Sequence, residues 1–421
     1  MDPVGSLANE DVFRLIYESG VNLITYSDYT YGTSGQTENV IKQLQLAEKY
    51  GISMFIRDGR LSNQDYTAEE LAQKLASYSM YRSFKGLTIW DEPSATDGTY
   101  GRYGNDNKTL DAYAKLSSSI QTYGNLTAYT NLFPLDSSLG TETAYKAYLE
   151  EYCKNYKPKI LSFDDYPFDD VGWVQADVSN MRTYFRNLAI VREKAMEHQI
   201  PFWAFVQAGS NWGTQAEATT NDNDTPTAEE FRWNVNMNLA FGAKGIQYFP
   251  LVQPDYFAET TDGTGNDYKR NGLIGADGVT INDWYYYAVE ANNQIKAVDA
   301  VLMKSESKGI MTTVDTLAEY NTQDSGMPIF EQFQEITGIS TNETPGLLNT
   351  TYGAVAGCFD YRGKTAVYVV NYDINNANTI TLSFDDTYTA QIINYEGTRT
   401  TSGQSCSVSL PAGGAALVIV E

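Results

Sequence analysis

The sequence has a single histidine, His198, and only three cysteines, Cys153, Cys358 and Cys406, among its 421 residues. One histidine inside a helical pattern gives little support to a histidine-dependent triad or a multi-histidine metal centre. The cysteines lack the close spacing of zinc ligands. Cys358 and Cys406 could pair within the C-terminal region, although buried free thiols are the commoner state. We therefore expect catalysis to rest on carboxylates, with no metal and no other cofactor.

Long apolar runs and basic residues are also scarce. No stretch approaches the roughly 20 apolar residues that cross a bilayer, so a soluble chain without membrane insertion is expected. The 53 acidic residues outnumber the 29 basic ones, which gives a formal net charge of -24. This charge would repel a polyphosphate backbone and argues against nucleic acid as a partner. It is spread along the chain, as in a solubilising surface, and carries no signal for an oligomeric state.

Aromatic residues are plentiful, with 32 Tyr, 17 Phe and 6 Trp making up 13% of the chain. Tyr and Trp combine an apolar face with a polar edge, which suits sugar rings. Ordinary packing must nevertheless account for most of these side chains. The composition is thus compatible with a carbohydrate partner without requiring one.

Short apolar runs alternate with amphipathic helical stretches through roughly the first 300 residues, which is typical of parallel β/α units. A helix over 9–19 comes before the first predicted strand, whereas a complete (β/α)8 barrel begins with a strand. We infer that the first barrel strand lies upstream, is missing or is replaced. The predicted strands are residues 21–27, 52–57, 86–90, 125–130, 160–163, 201–206 and 245–249. On this count 86–90 is the fourth strand of a TIM-type barrel.

The helices between these strands have conventional start and stop signals. Capping boxes mark two starts, and glycines mark three stops. The residues concerned are Thr67 with Glu70, Thr227 with Glu230, Gly20, Gly51 and Gly242.

The composition changes after a long helix over 282–303, and Thr, Asn and Gly then alternate with apolar residues. Strand character separated by turn residues follows, in segments 366–371, 379–384, 391–394 and 415–420. We predict two domains, a catalytic α/β barrel over 1–304 and a C-terminal antiparallel β-sandwich over 305–421.

The active site of such a barrel lies at the carboxyl ends of the strands, so the residues after each apolar run are the candidates. They are rich in carboxylates, amides and aromatics, as a sugar-binding barrel mouth requires. In chain order they are Asp28, Asp58, Asp91, Glu92, Asn131, Asp164, Asp165, Tyr166, Gln207 and Tyr248.

Glycoside hydrolysis needs one carboxylic acid and usually a second carboxylate on the opposite side of the bond. Glu92 is the first candidate, because an apolar strand delivers it to the rim and Pro93 follows it. Asp91 could bind a substrate hydroxyl or change the pKa of Glu92 by like-charge repulsion. Alternatively, Asp91 and Glu92 form a helix-capping turn after the strand. For the second carboxylate we favour Asp164 over Asp165, with Asp28 and Asp58 as alternatives.

Aromatic side chains near the strand ends are candidate platforms for a sugar ring. The candidates are Trp90, Tyr166 and Trp203, with Trp212 in a loop. Core packing is an equal alternative for each, because barrel strands also bury aromatics.

The motif at 89–93 resembles the strand-four motif of clan A glycoside hydrolases, in which Asn-Glu-Pro carries the acid/base glutamate. Glu92 and Pro93 match it, and Asp91 stands where Asn is usual. More broadly, the chain is similar to gut-bacterial glycoside hydrolases distantly related to the β-galactosidase family 42, over segments 161–167, 202–207, 242–249 and 410–417. The resemblance implies a barrel hydrolase, Glu92 as acid/base, and a secreted or cell-surface bacterial protein.

One departure from the clan A pattern concerns the nucleophile. Clan A enzymes place a glutamate at the end of strand seven, where this sequence has Gln207, and an amide cannot perform that attack. The nucleophile then comes from another strand, such as Asp164, or the reaction is inverting or substrate-assisted. The leading hypothesis is a glycoside hydrolase, and the alternative is a barrel that binds carbohydrate without cleaving it.

Overall fold

The structure, a computed structural model, describes residues 7–25, 36–58, 67–93, 117–120, 125–135, 141–168, 178–209, 226–253, 272–320, 335–342 and 353–421. Within these ranges, helices and strands alternate up to about residue 300, as the β/α pattern predicts. The helices are α1 Glu10–Glu18, α2 Gln36–Tyr50, α3 Ala68–Leu75, α4 Glu142–Tyr156, α5 Val178–Glu197, α6 Ala228–Ala240 and α7 Asp283–Leu302.

The first sheet has seven parallel strands, which follow one another across the sheet in chain order. All seven predicted strands are confirmed, as is the helix α1 that comes before them. The strands are β1 Leu23–Ile24, β2 Ser53–Ile56, β3 Phe84–Asp91, β4 Thr127–Leu132, β5 Leu161–Phe163, β6 Phe202–Gln207 and β7 Gly245–Phe249. This arrangement is that of a TIM-type barrel in which seven strands are described, so β3, the strand that ends in Asp91, is the third of them.

The predicted helix ends are also confirmed. The Thr67 and Thr227 side chains accept hydrogen bonds from the backbone of Glu70 and Glu230, whose own side chains close the capping boxes. These bonds satisfy N–H groups that a helix start leaves without partners. The three predicted stops, Gly20, Gly51 and Gly242, have positive φ angles of 86°, 70° and 99°.

A single glycine permits the close approach of β3 to β4. A Cβ atom at Gly86 would collide with the carbonyl oxygen of Thr127. The parallel pairing of these two strands, which carries the candidate site, therefore depends on the missing side chain.

Inside the barrel, aromatic side chains from alternate strands pack together. Phe55 of β2 stacks on Trp203 of β6 with ring centroids 6.1 Å apart and an interplanar angle of 4°. Tyr129 of β4 lies 5.6 Å from Phe55 and 6.2 Å from Trp203. Layers built from alternate strands are the usual filling of a parallel barrel. On β4 the next residue on this face is Asn131, two positions after Tyr129, so the aromatic layer forms a floor below that polar residue.

The second sheet is antiparallel, and its strands are β8 Glu306–Thr312, β9 Ile336–Thr341, β10 Ala354–Tyr361, β11 Lys364–Asn371, β12 Asn378–Asn394, β13 Gly397–Leu410 and β14 Ala415–Val420. Their order across the sheet is β13-β12-β14-β11-β10-β8, with β9 paired to β12. Alternate residues of its strands share one apolar core, which confirms the C-terminal sandwich. The predicted segments 379–384 and 391–394 are one long strand, whose register shifts between Ser383 and Tyr388.

All three cysteines are free and buried. Cys358 and Cys406 belong to the sandwich core, so the alternative of free thiols is the one observed. Burial raises the pKa of the Cys358 thiol far above its ordinary value, which makes it an inert core side chain.

The chain divides into two compact units. The first comprises 1–164, 194–209 and 248–289, and the second comprises 165–193, 210–247 and 290–421. The domain boundary predicted near residue 305 stays a prediction. No helix among the described residues is long and apolar enough to span a membrane.

Candidate active site

The candidate site is at the carboxyl ends of β3, β4 and β5. Asp91 is paired with Asn131, and Asn131 is paired with Ser162 on the next strand. The register of β3 shifts between Thr88 and Trp90, and such irregularities re-aim side chains at the rims of barrels. The shift brings Asp91 opposite Asn131 at the edge of the sheet.

Asn131 connects two of the predicted acidic residues. Its Nδ2 donates a hydrogen bond of 2.7 Å to Asp164 Oδ1 and another of 3.2 Å to Asp91 Oδ1. Asn131 is 2% exposed, whereas the two aspartates are half-buried. The amide therefore holds two carboxylates from separate strands side by side.

Two hydroxyl groups lie behind the Asn131 amide. Ser162 Oγ donates a hydrogen bond of 3.2 Å to Asn131 Oδ1, and the Tyr129 hydroxyl lies 2.8 Å from Ser162 Oγ. Sequence analysis missed both residues. The available signal was the period of two, because Tyr129 precedes Asn131, and Ser162 precedes Asp164, by two strand positions.

Glu92, the proposed proton donor, directly follows β3. Its backbone N–H donates a hydrogen bond of 2.8 Å to the carbonyl of Asn131, and its φ angle is +50°. A non-glycine residue in this left-handed region stores backbone strain, which clusters at functional sites. The side chain is half-buried. The backbone of Glu92 is thus held in the left-handed region, with its N–H bonded to the neighbouring strand.

A buried tyrosine lies close to the acidic residues of the site. The Tyr148 hydroxyl donates a hydrogen bond of 2.9 Å to the carbonyl of Pro93. Burial raises the pKa of Tyr148 well above its ordinary value, and the negative charges of Glu92 and Asp164 raise it further. Tyr148 is therefore a neutral donor that fixes the backbone just after Glu92.

Gln207 ends β6 on the face that carries Trp203. It is 3% exposed, and its Nε2 donates a hydrogen bond of 3.0 Å to the carbonyl of Gly209. Tyr248 is 8% exposed, and burial raises the pKa of its hydroxyl. Gln207 and Tyr248 thus have polar side-chain atoms in mainly buried positions. Their contact with a substrate stays a prediction.

The remaining predicted residues have varied surroundings. Asp58 is buried and accepts a hydrogen bond of 2.6 Å from the Tyr78 hydroxyl, which gives it a role in holding α3 and the following turn. Trp203 belongs to the aromatic floor, so packing already accounts for its ring. Asp28, Trp212 and the side chain of Trp90 lie outside the described residues.

Asp165 and Tyr166 belong to the second compact unit. Asp165 Oδ2 accepts a hydrogen bond of 2.8 Å from Asn187 Nδ2, and Tyr166 is half-buried. Burial raises the pKa of Tyr184 well above its ordinary value, with a further contribution from the charge of Asp165. Asp165 is thus part of a polar network with α5.

One group among the described residues has the spacing of metal ligands, namely Glu150, Glu197 and His198. The Lys194 ammonium lies 3.2 Å from Glu150 Oε2 and 2.6 Å from Glu197 Oε2. Lys154 lies 2.8 Å from Glu150 Oε1. These ammonium groups already supply the positive charge that a metal ion would bring, so the group is an ion-pair network.

Neither a family model nor a curated protein matches the sequence. Solved structures that it resembles include the β-L-arabinopyranosidase of Geobacillus stearothermophilus, at 10% identity and a TM-score of 0.48 over 100% of this chain and 94% of that one. A β-galactosidase of Marinomonas ef1 has 11% identity and a TM-score of 0.47, over 73% of this chain and 61% of that one.

A third solved structure is a GH5_18 protein of Streptomyces cattleya, with 11% identity and a TM-score of 0.46 over 68% of this chain and 74% of that one. Likenesses this weak establish neither a family nor an activity for this chain. The functional case therefore depends on the residues themselves.

Proposed function

We propose that this chain is a glycoside hydrolase that cleaves O-glycosidic bonds of an oligosaccharide or glycan, with Glu92 as the proton donor. One observation carries the proposal: Asp91, Asn131 and Asp164 meet beside the backbone of Glu92 at the carboxyl ends of β3, β4 and β5. Parallel barrels use this end of their strands for catalysis. Hydrolysis of a glycoside calls for paired acidic residues, and this edge of the sheet offers three.

In the proposed reaction, the Glu92 carboxyl gives its proton to the glycosidic oxygen as the bond from that oxygen to the anomeric carbon breaks. Asp164 is the second carboxylate. Its hydrogen bond from Asn131 favours the ionised form, which suits either attack on the anomeric carbon or removal of a proton from water. Asp91 accepts from the same amide and is placed to bind a substrate hydroxyl.

The other rim residues are proposed to hold the sugar. Hydrogen-bonding groups and aromatic rings around the strand ends suit a substrate that is hydroxylated at its rim and apolar on its faces. The proposed set is Asp28, Asp58, Trp90, Asn131, Asp165, Tyr166, Trp203, Gln207 and Tyr248. A secreted or cell-surface location is part of the same proposal, because glycans are abundant outside the cell.

A barrel that binds carbohydrate without cleaving it is the second candidate. Gln207 favours it, since this amide stands where clan A enzymes have a nucleophilic glutamate. The two candidates agree on the partner and differ on whether Glu92 transfers a proton.

The test is a screen of 4-nitrophenyl glycosides and reduced oligosaccharides with wild type, Glu92→Gln and the exposed control Glu151→Gln. We expect Glu92→Gln to lower kcat/KM on the oligosaccharides by about 10²- to 10⁴-fold, because their alkoxide leaving groups need a proton, with the fold and the control unaffected. Retained cleavage of the oligosaccharides by Glu92→Gln would remove Glu92 from the mechanism. Calorimetric sugar binding without hydrolysis by wild type would support the binding protein instead.

A further inference from the structure

Behind the Asn131 amide are two hydroxyl groups that take no part in the proposed chemistry. Ser162 is fully buried and Tyr129 is 1% exposed. The sheet places Ser162 directly beside Asn131 on the adjacent strand, and the Tyr129 hydroxyl reaches Ser162 Oγ at 2.8 Å. Both groups are thus interior neighbours of the site.

The direction of each hydrogen bond follows from the number of protons that each side chain can donate. Asn131 Oδ1 can only accept, so its bond of 3.2 Å uses the single hydroxyl proton of Ser162. Ser162 has no second proton to give, and the Tyr129 hydroxyl must therefore donate to Ser162 Oγ. Every donor in the chain from Tyr129 through Ser162 to Asn131 points toward the acidic edge of the sheet.

This direction determines which way the Asn131 amide faces. With Oδ1 held by Ser162, the two Nδ2 protons are directed at Asp164 and Asp91, at 2.7 and 3.2 Å. The opposite orientation would place the carbonyl oxygen against two carboxylates and leave the NH₂ group facing the serine. Hydrogen bonds donated to a carboxylate favour its charged form.

We propose that Ser162 and Tyr129 are positioning residues, which orient the Asn131 amide so that its Nδ2 group holds Asp91 in place and keeps Asp164 ionised, which leaves Glu92 as the carboxyl that carries the proton. The inference builds on the proposed function for its kinetic consequences. Its electrostatic consequence, the titration of Asp164, is independent of any substrate.

The variants are Ser162→Ala, Tyr129→Phe and the conservative Ser162→Thr. Ser83→Ala is the matched control, because Ser83 is 4% exposed and donates one hydrogen bond of 2.7 Å to the carbonyl of Leu44. If the role of Ser162 were purely structural, Ser162→Ala and Ser83→Ala would lose similar amounts of stability. The titration of Asp164 would then be unchanged in both variants.

The first measurement is the NMR titration of ¹³C-labelled aspartate carboxyl groups, with Asp164→Asn used to assign the Asp164 signal. In Ser162→Ala we expect Asp164 to titrate at higher pH, by about half a unit or more. Tyr129→Phe should move the Asp164 titration in the same direction by less. Ser162→Thr should restore the wild-type titration, and Ser83→Ala should retain it.

The second measurement is the pH dependence of kcat and KM on the substrate that the screen identifies. We expect Ser162→Ala to lower kcat about tenfold while its KM stays within about twofold of the wild-type value. The acidic limb of the pH profile of kcat should move to higher pH in this variant. An unchanged titration of Asp164 in Ser162→Ala would overturn the proposal. If Ser162→Ala does not fold, an unchanged titration of Asp164 in Tyr129→Phe would overturn it. Shifted titration with no cleavable substrate would refute the hydrolase and leave the positioning role standing.

Discussion

The backbone N–H of Glu92 donates a hydrogen bond of 2.8 Å to the carbonyl of Asn131, although the φ angle of Glu92 is +50°. The ladder between β3 and β4 thus extends one residue past the strand and ends on a residue in the left-handed region. An L-residue there has its Cβ close to a carbonyl oxygen. The proposed acid is therefore placed by backbone geometry as well as by its strand.

The first prediction concerns this strain. Glu92→Gly and Glu92→Ala both lose the carboxyl, but only glycine adopts a positive φ without a Cβ clash. We expect Glu92→Gly to be more stable than Glu92→Ala by about 1 kcal/mol, measured by urea unfolding. Glu151 in α4 is the control, since glycine should there be the less stable of the pair by about 1 kcal/mol. Equal stability of the two Glu92 variants would show that the backbone is unstrained.

The second prediction concerns the contact between β3 and β4. In Gly86→Ala the new methyl group would meet the Thr127 carbonyl, which Gly86 approaches without a side chain. We expect a loss of about 2 kcal/mol or more in unfolding free energy, together with weakened activity, because the displaced strands carry Asp91 and Asn131. In Gly338→Ala the nearest atom to the new Cβ is 4.0 Å away, and this control should be tolerated. A harmless Gly86→Ala would mean that the two strands can separate at little cost.

The third prediction concerns acid stability. Hydrogen bonds from Lys154, His198 and Lys194 lower the pKa of Glu150 to about 2 from an ordinary value of 4.5. A carboxyl with a lowered folded-state pKa stabilises the fold above its unfolded pKa, and this contribution disappears as the pH falls toward the folded pKa. Wild type should therefore exceed Glu150→Gln in stability at neutral pH, and the difference should shrink between pH 4.5 and about 2.

Urea unfolding of both proteins across this range is the measurement. Glu151→Gln serves as the control, because the Glu151 side chain is exposed on the same helix and a change there should leave the pH dependence unaltered. A constant difference between wild type and Glu150→Gln down to low pH would contradict the role of this network.

The barrel strands and their polar ends could be predicted from the sequence because both signals are local. Asn131 and Asp164 follow apolar runs, and parallel strands end at one edge of a sheet. The link between Tyr129 and Ser162 could not be predicted, since it depends on the stagger of two strands. The floor position of Trp203 depends in the same way on which side chains share a layer.

The sandwich shows a different limit of local patterns. Asp385 and Asp386 predict a turn between two strands, yet β12 runs through them with a shift of register. Its partner β13 was missed because Thr, Ser and Gly dominate it and only its last residues alternate with apolar ones. That segment is a strand because it pairs with β12 in a sheet with one buried and one exposed face, and not because its residues have a high β propensity.

The last prediction concerns the role of Asp164. Replacing it by glycine removes the second carboxylate and opens space for a small anion, while Asn131 keeps Asp91 as a partner. We expect kcat/KM to fall by about 10²- to 10⁴-fold on an activated aryl glycoside, because the carboxylate proposed to attack or to activate water is gone. Added azide should restore turnover by attacking the anomeric carbon itself, as the bond from that carbon to the glycosidic oxygen breaks and the aryloxide leaves.

The products of wild type and of the rescued variant then separate the two roles of Asp164. A nucleophile belongs to a retaining enzyme, so wild type would release sugar of the original configuration while Asp164→Gly with azide would give the inverted glycosyl azide. A general base belongs to an inverting enzyme, and wild type would itself release the inverted sugar. Proton NMR of the first product distinguishes these outcomes. Full activity in Asp164→Gly without azide would exclude both roles and direct the search for the second carboxylate to Asp91.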